Sequence, residues 1–395
     1  MAGIAFFNIP AHGHTNPTIG VVRELIDRGH SVSYYSYESF REKIEAAGAR
    51  FIACDSYDAQ LGLGPEDGAR IARDTAFSIH VLVETTLALD GMVCRELKRE
   101  RPDCIVADSM AVWGKAAAMK LGIPFVSSTT TFAFNRESAK LMKQSGSQAI
   151  SLLLSVPKMN RDVKRLKKLG YPIKNFLQLI SNDRYTDTIV YTSPEFQPCC
   201  ESFPERYSFV GPCILPPESS FEKNKGKLVY ISMGTVNNNM PEVYRSCIAA
   251  AADIDAQVLI SVGALADIGS LGVLPENVQL RRWVDQTAVL READAFLSHC
   301  GMNSASESLY FGVPLLCSPQ TAEQGAVAAR ICQLGAGIPL ATASPENIRA
   351  GLKLLMEEGS YRSNAEKIGE SFRRCGGAKA AADKIESLIL GLHNI

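Results

Sequence analysis

The stretch FLSHCGMNSASES, residues 296–308, decides the fold, because an apolar run passes through a polar, glycine-bearing turn into a helical pattern. We predict that Ser298 and His299 close a strand, that Gly301 lets the backbone turn tightly, and that Asn303 or Ser304 caps the following helix. Such a helix start aims N–H groups and the positive end of the helix dipole at one point. The turn therefore predicts an anion site, and a diphosphate fits it without lysine or arginine.

The stretch NIPAHGHTNPTIG, residues 8–20, has the same layout of strand, polar loop and helix start. Here Thr15 or Asn16 is suited to cap the helix, and Pro17 suits its first turn. Because ligands of open α/β sheets bind beyond the carboxyl ends of the strands, we expect the two stretches to face each other across a cleft.

Strand and helix patterns alternate along most of the chain, which is typical of parallel sheets covered by helices on both faces. The alternation restarts after residues 209–227, FVGPCILPPESSFEKNKGK, whose Pro, Ser and Lys residues favour a linker. We therefore predict an α/β protein with two Rossmann-like domains, residues 1–210 and 228–395, joined by a linker at 211–227; the last helix can cross back to the first domain. Strands are predicted at residues 4–9, 31–35, 104–107, 125–127 and 188–191, and then at 228–232, 257–262, 295–298 and 314–317.

A second glycine-bearing loop, SMGT at residues 232–235, follows one of these predicted strands. It contains Ser232 and Thr235 and is able to donate hydrogen bonds to phosphate oxygens. Pro241 follows this loop as Pro17 follows the N-terminal one, so the two halves look like a weak internal repeat.

The composition favours a small-molecule partner. The chain has 395 residues, of which 46% are apolar, and at roughly 150 residues per domain this length indicates two domains. With 41 basic and 42 acidic side chains the net charge is −1, which gives no sign of binding to nucleic acid or to an anionic membrane. We expect a monomer or a weak dimer.

The cysteines and the N-terminus indicate a cytoplasmic protein. The 11 cysteines form no C-x-x-C pair, and Cys199 and Cys200 are adjacent in sequence, which is a poor arrangement for a disulfide. The N-terminal GIAFFNI is short for a signal sequence, and no apolar run approaches the ~18 residues of a membrane span. We expect neither secretion nor a membrane segment.

Several other chemistries leave no pattern in the sequence. There is no HExxH, no paired Cys/His spacing and no DxD with the layout of a metal site, so we expect no metal. There is no G-x-S-x-G, and no G-x-G-x-x-G follows the first predicted strand, which disfavours an NAD-dependent oxidoreductase.

His12 and His14 flank Gly13 at the N-terminal helix start. The helix dipole disfavours the imidazolium there and keeps a neutral ring, as a general base requires, but spacing does not choose between the two histidines. Asp108 follows the strand predicted at 104–107 and could orient the imidazole and stabilise its cation. Alternatively, it only caps the next helix.

Two residues near the predicted anion site also have structural alternatives. Trp283, in RRWVDQ, could stack on a planar base or be a half-buried core residue. Glu307 could bind a ligand or complete a capping box with Ser304, because Ser-x-x-Glu is the pattern of that motif. Taken singly, neither residue is specific.

Taken together, RRWVDQTAVL at 281–290 and HCGMNSASESLYFGVPLLCSPQTAEQ at 299–324 resemble the nucleotide-sugar signature of the family 1 (UDP-dependent) glycosyltransferases, most of all the bacterial macrolide and natural-product members. The resemblance is dense over these residues and covers the whole chain in its two-domain pattern. It implies the GT-B fold, an inverting mechanism, a UDP-sugar donor, and neither metal ion nor cofactor. It selects His14 as the base, through the family's GHxNP, and Asp108 as its partner, where the family's DxFxxW reads DSMAVW.

The resemblance also assigns the contacts to the donor. It implies that Trp283 stacks on uracil and that Gln286 and Glu307 hold the ribose. Plant members carry Asp-Gln where this chain has Glu323-Gln324, so the extra methylene bears on the choice of sugar. Glu323 and Gln324 are the implied contacts to the sugar. The implied contacts to the diphosphate are Thr235, His299, Asn303 and Ser304, which lie in the same loops as Ser232 and Gly301.

The resulting hypothesis is a cytosolic transferase that moves a hexose, by default glucose from UDP-glucose, to a hydroxyl of a macrolide, polyketide or flavonoid and forms a β-O-glycoside. Other UDP-hexoses and dTDP-sugars are alternative donors. The alternative functions are a non-catalytic nucleotide-sugar-binding auxiliary protein and a GT-B-fold UDP-sugar epimerase. We expect residues 55–90 and 128–180 to line the acceptor pocket, with apolar side chains that could equally be core: Phe77, Ile79, Phe132 and Phe134.

Overall fold

The computed structural model describes residues 1–55, 67, 70–71, 74–139, 146–182, 186–223, 226–235, 238–264 and 266–393. The chain divides into two compact units, each built around a parallel sheet. The division differs from the predicted boundaries, since residues 192–198 and the linker from 214 onward belong to the second unit. The first unit comprises Met1–Tyr191, Cys199–Cys213 and Gly376–Ile395, and the second comprises Thr192–Pro198 and Ile214–Cys375.

The first unit contains a seven-stranded sheet with the order β3-β2-β1-β4-β5-β6-β7, and its described strand pairs are parallel. The strands are β1 (Gly3–Phe7), β2 (Ser31–Ser36), β3 (Arg50–Ala53), β4 (Cys104–Asp108), β5 (Phe125–Thr129), β6 (Asp187–Val190) and β7 (Tyr207–Phe209). The helices are α1 (His12–Asp27), α2 (Arg41–Glu45), α3 (Thr75–Glu100), α4 (Val112–Leu121), α5 (Arg136–Ala139), α6 (Gly146–Lys168) and α7 (Phe176–Ile180), with 3-10 turns at Glu38–Phe40 and Cys200–Ser202.

The second unit contains a six-stranded sheet with the order β10-β9-β8-β11-β12-β13, again with parallel pairs. The strands are β8 (Leu228–Ser232), β9 (Gln257–Ser261), β10 (Val278–Arg281), β11 (Ala295–Ser298), β12 (Leu315–Cys317) and β13 (Gly337–Pro339). The helices are α8 (Pro241–Ala251), α9 (Gln286–Leu290), α10 (Met302–Tyr310), α11 (Ala322–Gln333), α12 (Pro345–Glu357) and α13 (Gly359–Arg374), with a 3-10 turn at Ile268–Leu271.

The last helix, α14 (Gly377–His393), belongs to the first unit. Its charged side chains pair with residues next to α1. The Arg28 guanidinium donates to Asp383 at 2.6 Å and to Glu386 at 2.7 Å, and a ring nitrogen of His30 lies 2.8 Å from Glu386. These partly exposed pairs fix where the helix lies on the unit more than they stabilise it.

Each strand predicted from the sequence is present, and its ends lie within about two residues of the predicted ones, the usual spread for the boundaries of such elements. The four strands that the analysis did not predict are β3, β7, β10 and β13, and they are the four edges of the two sheets. Edge strands are short and only partly covered, so they lack the continuous apolar run of a central strand such as β4, which is buried at every position.

One helix of the first unit contradicts the expectation that no segment is long and apolar enough to span a membrane. By length and composition, α3 meets that criterion among the described residues. In the structure its inward side chains pack against the sheet and against α4, as a core helix does. The buried members of this contact include Ile79, Val83, Val93, Ile105 and Trp113.

Candidate functional site

In the first unit, β1, β4 and β5 end beside one another, and the loop after β1 leads into α1. The structure brings His14 and Asp108 into contact there: Nδ1 of the imidazole lies 2.8 Å from Oδ2 of the carboxylate. Asp108 is 1% exposed, whereas the His14 side chain is 17% exposed and can still be approached. A buried carboxylate thus stands behind a partly accessible imidazole.

This contact decides which nitrogen of His14 carries the proton. An ionised carboxylate only accepts hydrogen bonds, so Nδ1–H donates to Asp108 and the lone pair of the neutral ring resides on Nε2. If Nε2 takes a proton, the resulting cation lies against a full negative charge at low exposure. The pair can therefore act as a general base with its orienting acid.

The capping alternative for Asp108 also finds a basis in the structure. Its second oxygen, Oδ1, accepts the backbone N–H of Met110 at 2.8 Å. The helix itself begins two residues later, however, with Ala111 as an N-cap that makes no side-chain hydrogen bond. One carboxylate oxygen therefore shapes the turn after β4, and the other faces His14.

The expected cap of the N-terminal helix was wrong. The helix α1 begins at His12, so Thr15, Asn16 and Pro17 lie inside it instead of at its start. The N-cap is Ala11, whose carbonyl accepts the N–H groups of His14 at 3.0 Å and Thr15 at 2.9 Å. The Ala11 carbonyl thus accepts the first hydrogen bonds of the helix, which begins without a polar side-chain cap.

The two histidines differ in their surroundings. His12 is exposed, and its ring lies edge-on to Phe40 with centroids 5.0 Å apart. Partial desolvation and the nearby Lys43 ammonium lower the pKa of His12. His14 is the histidine that contacts Asp108, so the geometry favours it for the role that the sequence left open.

Two further residues hold His14, and neither was predicted from the sequence. Thr130 is buried and places Oγ1 3.1 Å from Nδ1 of His14, while the Asn8 amide donates to the His14 carbonyl at 2.8 Å. Thr130 stands in the run SSTTT, where nothing distinguishes one hydroxyl from the next. Only the register of β4 against β5, with Asp108 opposite Ser128, brings this position to the dyad.

The residues expected to line an acceptor pocket divide into core and surface. Ile79 and Phe132 are buried, and Ile79 belongs to the main cluster of the first unit. Phe134 is 44% exposed, and Phe77 is half-buried beneath the Arg70 guanidinium. Residues 56–66, 68–69, 72–73 and 140–145 of the two expected segments lie outside the described residues.

In the second unit, the neighbouring strands β8 and β11 end opposite each other, with Ser232 paired to Ser298. The turn after β11 corrects the role expected for Gly301. The left-handed residue is Cys300, at φ 61°, and not Gly301, whose φ is −58°. Gly301 is required for space, since a Cβ there would stand 2.7 Å from Nε2 of His299.

His299 lies between two glycines. A Cβ on Gly234, in the loop after β8, would stand 2.6 Å from the same Nε2 atom. Burial of the ring lowers the pKa of His299 to about 4. A hydrogen bond with the Ser232 backbone raises the pKa, but by less than burial lowers it. The ring is therefore neutral near pH 7, and its Nδ1 atom is buried without a hydrogen-bond partner in the described structure. The loops after β8 and β11 therefore meet around a neutral imidazole. At the end of β8 Ser232 is buried, and Thr235 in the loop after it is exposed.

The predicted caps of α10 were also wrong, because Gly301 is the N-cap and makes no side-chain hydrogen bond. Asn303 and Ser304 lie in the first turn of this nine-residue helix. The helix start still points the positive end of its dipole into the turn after β11, where the sequence predicts the anion site.

The same shift in helix start removes the capping-box interpretation of Glu307. Ser304 is the third helical residue and not the N-cap, so Ser304 and Glu307 cannot form that motif. Instead the Gln286 amide donates to Glu307 Oε2 at 2.6 Å and to Ser304 Oγ at 3.2 Å, and Tyr230 donates to Gln286 at 3.3 Å. The structure thus brings Gln286, Ser304 and Glu307 together in one polar cluster.

Trp283 is not a core residue, because its side chain is 73% exposed at the end of β10. A large exposed indole, here three residues before Gln286, is a surface on which a planar ring can stack. The core alternative for Trp283 was therefore wrong.

Glu323 and Gln324 begin α11, which follows β12. Gln324 forms a capping box with Thr321: its Oε1 atom accepts the N–H of Thr321 at 3.2 Å and of Gln320 at 2.8 Å. This fixes the amide plane and leaves its NH2 group as the end that can donate to a ligand. Glu323 is exposed.

No group of three or more His, Cys, Asp or Glu side chains is arranged to hold a metal ion in the part of the chain that the structure describes.

Comparison with known proteins identifies the family and the fold. The family described as "Erythromycin biosynthesis protein CIII-like, C-terminal domain" matches residues 245–375. The chain is 32% identical to "Uncharacterized UDP-glucosyltransferase YojK" of Bacillus subtilis (98% of this chain and 97% of that protein) and 31% identical to "Demethyllactenocin mycarosyltransferase" of Streptomyces fradiae (98% and 87%). The solved "Glycotransferase of kitacinnamycin" superposes with a TM-score of 0.86 at 26% identity over 98% of both chains. The two parallel sheets are those of the GT-B fold, and the chain belongs to the family 1 natural-product glycosyltransferases.

Proposed function

We propose that this protein transfers a hexose, glucose from UDP-glucose in the first instance, to a hydroxyl group of a lipophilic small molecule and forms a β-O-glycoside. The acceptor class is a macrolide, polyketide or flavonoid. The protein acts in the cytoplasm as a monomer or weak dimer, without nucleic acid, membrane or cofactor. The observation that carries the catalytic part is the 2.8 Å contact between His14 and the buried Asp108.

In the proposed step, Nε2 of His14 removes the proton of the acceptor hydroxyl. The acceptor oxygen forms a bond to the anomeric carbon from the face opposite the diphosphate, and the bond from that carbon to the diphosphate oxygen breaks. UDP leaves with the electron pair, and the configuration inverts. Asp108 stabilises the imidazolium that results, which lowers the free energy of the transition state.

The second unit supplies the donor site in this proposal. Trp283 stacks on the base, and the cluster of Gln286 and Glu307 binds the ribose hydroxyls. The diphosphate lies at the start of α10 against Asn303, Ser304, His299 and Thr235, where backbone N–H groups and the helix dipole stabilise the departing negative charge. Because His299 is neutral, the described turn offers hydrogen bonds instead of full positive charges.

The dyad favours an enzyme over a non-catalytic binding protein, and the need for an acceptor distinguishes a transferase from an epimerase. A non-catalytic nucleotide-sugar-binding protein needs no imidazole held against a buried carboxylate, and a UDP-sugar epimerase needs no acceptor. Incubation of the protein with UDP-glucose and a panel of hydroxylated lipophilic compounds, followed by mass spectrometry, tests the proposal. A product heavier by one hexose supports it. Release of an epimerised UDP-sugar, or no conversion at all across the panel, would overturn it.

We expect transfer to proceed at an unchanged rate in the presence of EDTA, because the proposed site stabilises the leaving diphosphate with a helix start instead of a divalent cation. Initial rates with and without the chelator, followed by titration with Mg²⁺, give the answer. Activity that vanishes in EDTA and returns with Mg²⁺ contradicts the metal-independent mechanism.

Replacing Glu307 with alanine should remove most of the discrimination between UDP-glucose and its 2′-deoxyuridine analogue. A site that binds both ribose hydroxyls loses a few kcal/mol with the analogue, because a buried polar group is left unpaired. The ratio of kcat/KM for the two donors is measured in both proteins. Equal ratios in wild type and variant would remove Glu307 from the ribose site.

A further inference from the structure

Asp285 collects hydrogen bonds from two separate segments of the second unit. It is the N-cap of α9, where Oδ1 accepts the N–H of Ala288 at 3.2 Å and the hydroxyl of Thr287 at 2.8 Å. Its other oxygen, Oδ2, accepts the N–H of Glu218 at 2.7 Å and both the N–H, at 2.9 Å, and the hydroxyl, at 3.3 Å, of Ser219. The two oxygens therefore serve different segments.

Only an ionised carboxylate suits this arrangement. Five donors point at two oxygens, and each oxygen must accept. Burial by itself would raise the pKa of Asp285, but the hydrogen bonds from Thr287, Ser219, Ala288 and Glu218 outweigh it and the pKa lies below its usual value. An amide of the same shape could keep the acceptor for α9, but it would present a donor to the N–H groups of residues 218 and 219.

The position of Asp285 connects these bonds to the donor site. Trp283, with its exposed indole, lies two residues before it, and Gln286, which donates to Ser304 and Glu307, follows directly. Gln286 is the first residue of α9, so its backbone lies at the helix start that Asp285 caps. Residues 218 and 219 are themselves exposed, and their described hydrogen bonds to Asp285 tie them to this corner of the unit.

We propose that Asp285 is a positioning residue for the nucleoside end of the donor: it fixes the start of α9, and with it Gln286, and holds residues 218–219 against the corner that carries Trp283. This inference rests on the proposed donor site in the second unit. Asp285 itself does not touch the ligand in this proposal. Its loss is expected to weaken nucleoside binding and to leave the chemical step and the acceptor unaffected.

The test compares Asp285→Asn with Asp267→Asn, a matched control that also caps a helical turn, through the N–H of Gly269, but has no second segment among its described hydrogen bonds. UDP affinity is measured by calorimetry, together with KM for UDP-glucose, KM for the acceptor, kcat and Tm. For Asp285→Asn we expect the Kd of UDP and the donor KM to rise roughly tenfold, because a displaced Gln286 loses about one hydrogen bond to the nucleoside. The acceptor KM and kcat should stay within about twofold of wild type, the usual effect of a residue that touches neither.

A second variant isolates the exposed segment. Ser219→Pro removes the N–H and the hydroxyl that reach Oδ2 and leaves the cap of α9 in place, and Ser220→Pro is its control. We expect weaker UDP binding for Ser219→Pro only, and faster amide exchange at residue 218. The UDP affinity of Ser219→Pro still tests the proposal if Asp285→Asn does not fold.

Two outcomes overturn the proposal in distinguishable ways. If wild type binds UDP but both Asp285→Asn and Ser219→Pro bind it equally well, Asp285 is purely structural and the donor site stands. If wild type binds no UDP, the proposed function fails and takes this inference with it. A lower Tm with unchanged UDP affinity also counts against a positioning role.

Discussion

Replacing His14 with alanine is expected to lower the rate of glycosyl transfer by at least ~100-fold, the contribution of a positioned general base. The affinity for UDP should stay near that of wild type, because His14 lies in the first unit and the proposed donor contacts lie in the second. The rate falls because His14 is the described histidine whose ring nitrogen lies 2.8 Å from Asp108. Transfer rates and calorimetric UDP binding measure the two effects separately.

His12→Ala is the matched control, because His12 lies two residues away in the first turn of the same helix. It should lose far less activity, since its ring contacts Phe40. An inactive His12→Ala together with an active His14→Ala would reverse the assignment of the base.

The second large effect is expected for Asp108→Asn, with a fall in kcat of roughly 10,000-fold, as when a triad carboxylate becomes an amide. Asparagine can keep an oxygen for the Met110 N–H, which preserves the turn after β4. Its NH2 group then faces Nδ1 of His14, which must become an acceptor. The proton moves to Nε2, so the ring can no longer take one from the substrate.

Asp103→Asn provides the control for this variant. Asp103 stands at the other end of β4, where it accepts the Gly3 N–H at 2.8 Å, far from the dyad along the strand. We expect wild-type activity for it and a Tm within a few degrees of wild type for both variants. If Asp108→Asn keeps most of its kcat while folded, Asp108 acts only as a turn residue.

Strands and helix starts differ in how well they could be predicted from the sequence. Central strands could be predicted because both of their faces are buried and their apolar runs are continuous. The helix starts near His14 and Asn303 were misplaced, because Ala11 and Gly301 begin these helices without a polar side chain. A pattern of Ser, Thr and Asn locates a helix start only where the side chain actually caps it.

Long-range partners set the other limit. His14 and Asp108 could be paired through a family motif, but Thr130 could not, since its role depends on sheet register. Asp285 precedes a helix and could have been recognised as a cap. Its bonds to Glu218 and Ser219 join residues 67 and 66 positions apart, which no local pattern records.

The capping box of α11 has a consequence for engineering the choice of sugar. A library randomised at Gln324 selects for two properties at once, because the side chain caps a helix with its oxygen and, in the proposed donor site, offers its NH2 group to the sugar. Most substitutions will lose helix stability, by roughly 0.5 to 2 kcal/mol as for other lost caps. Glutamate is the informative exception, since it keeps the oxygen acceptor of a capping box but has no NH2 group. Variants recovered from such a library will therefore differ in thermal stability as well as in sugar preference. Measuring Gln324→Glu in the same assays provides the reference that separates the two effects.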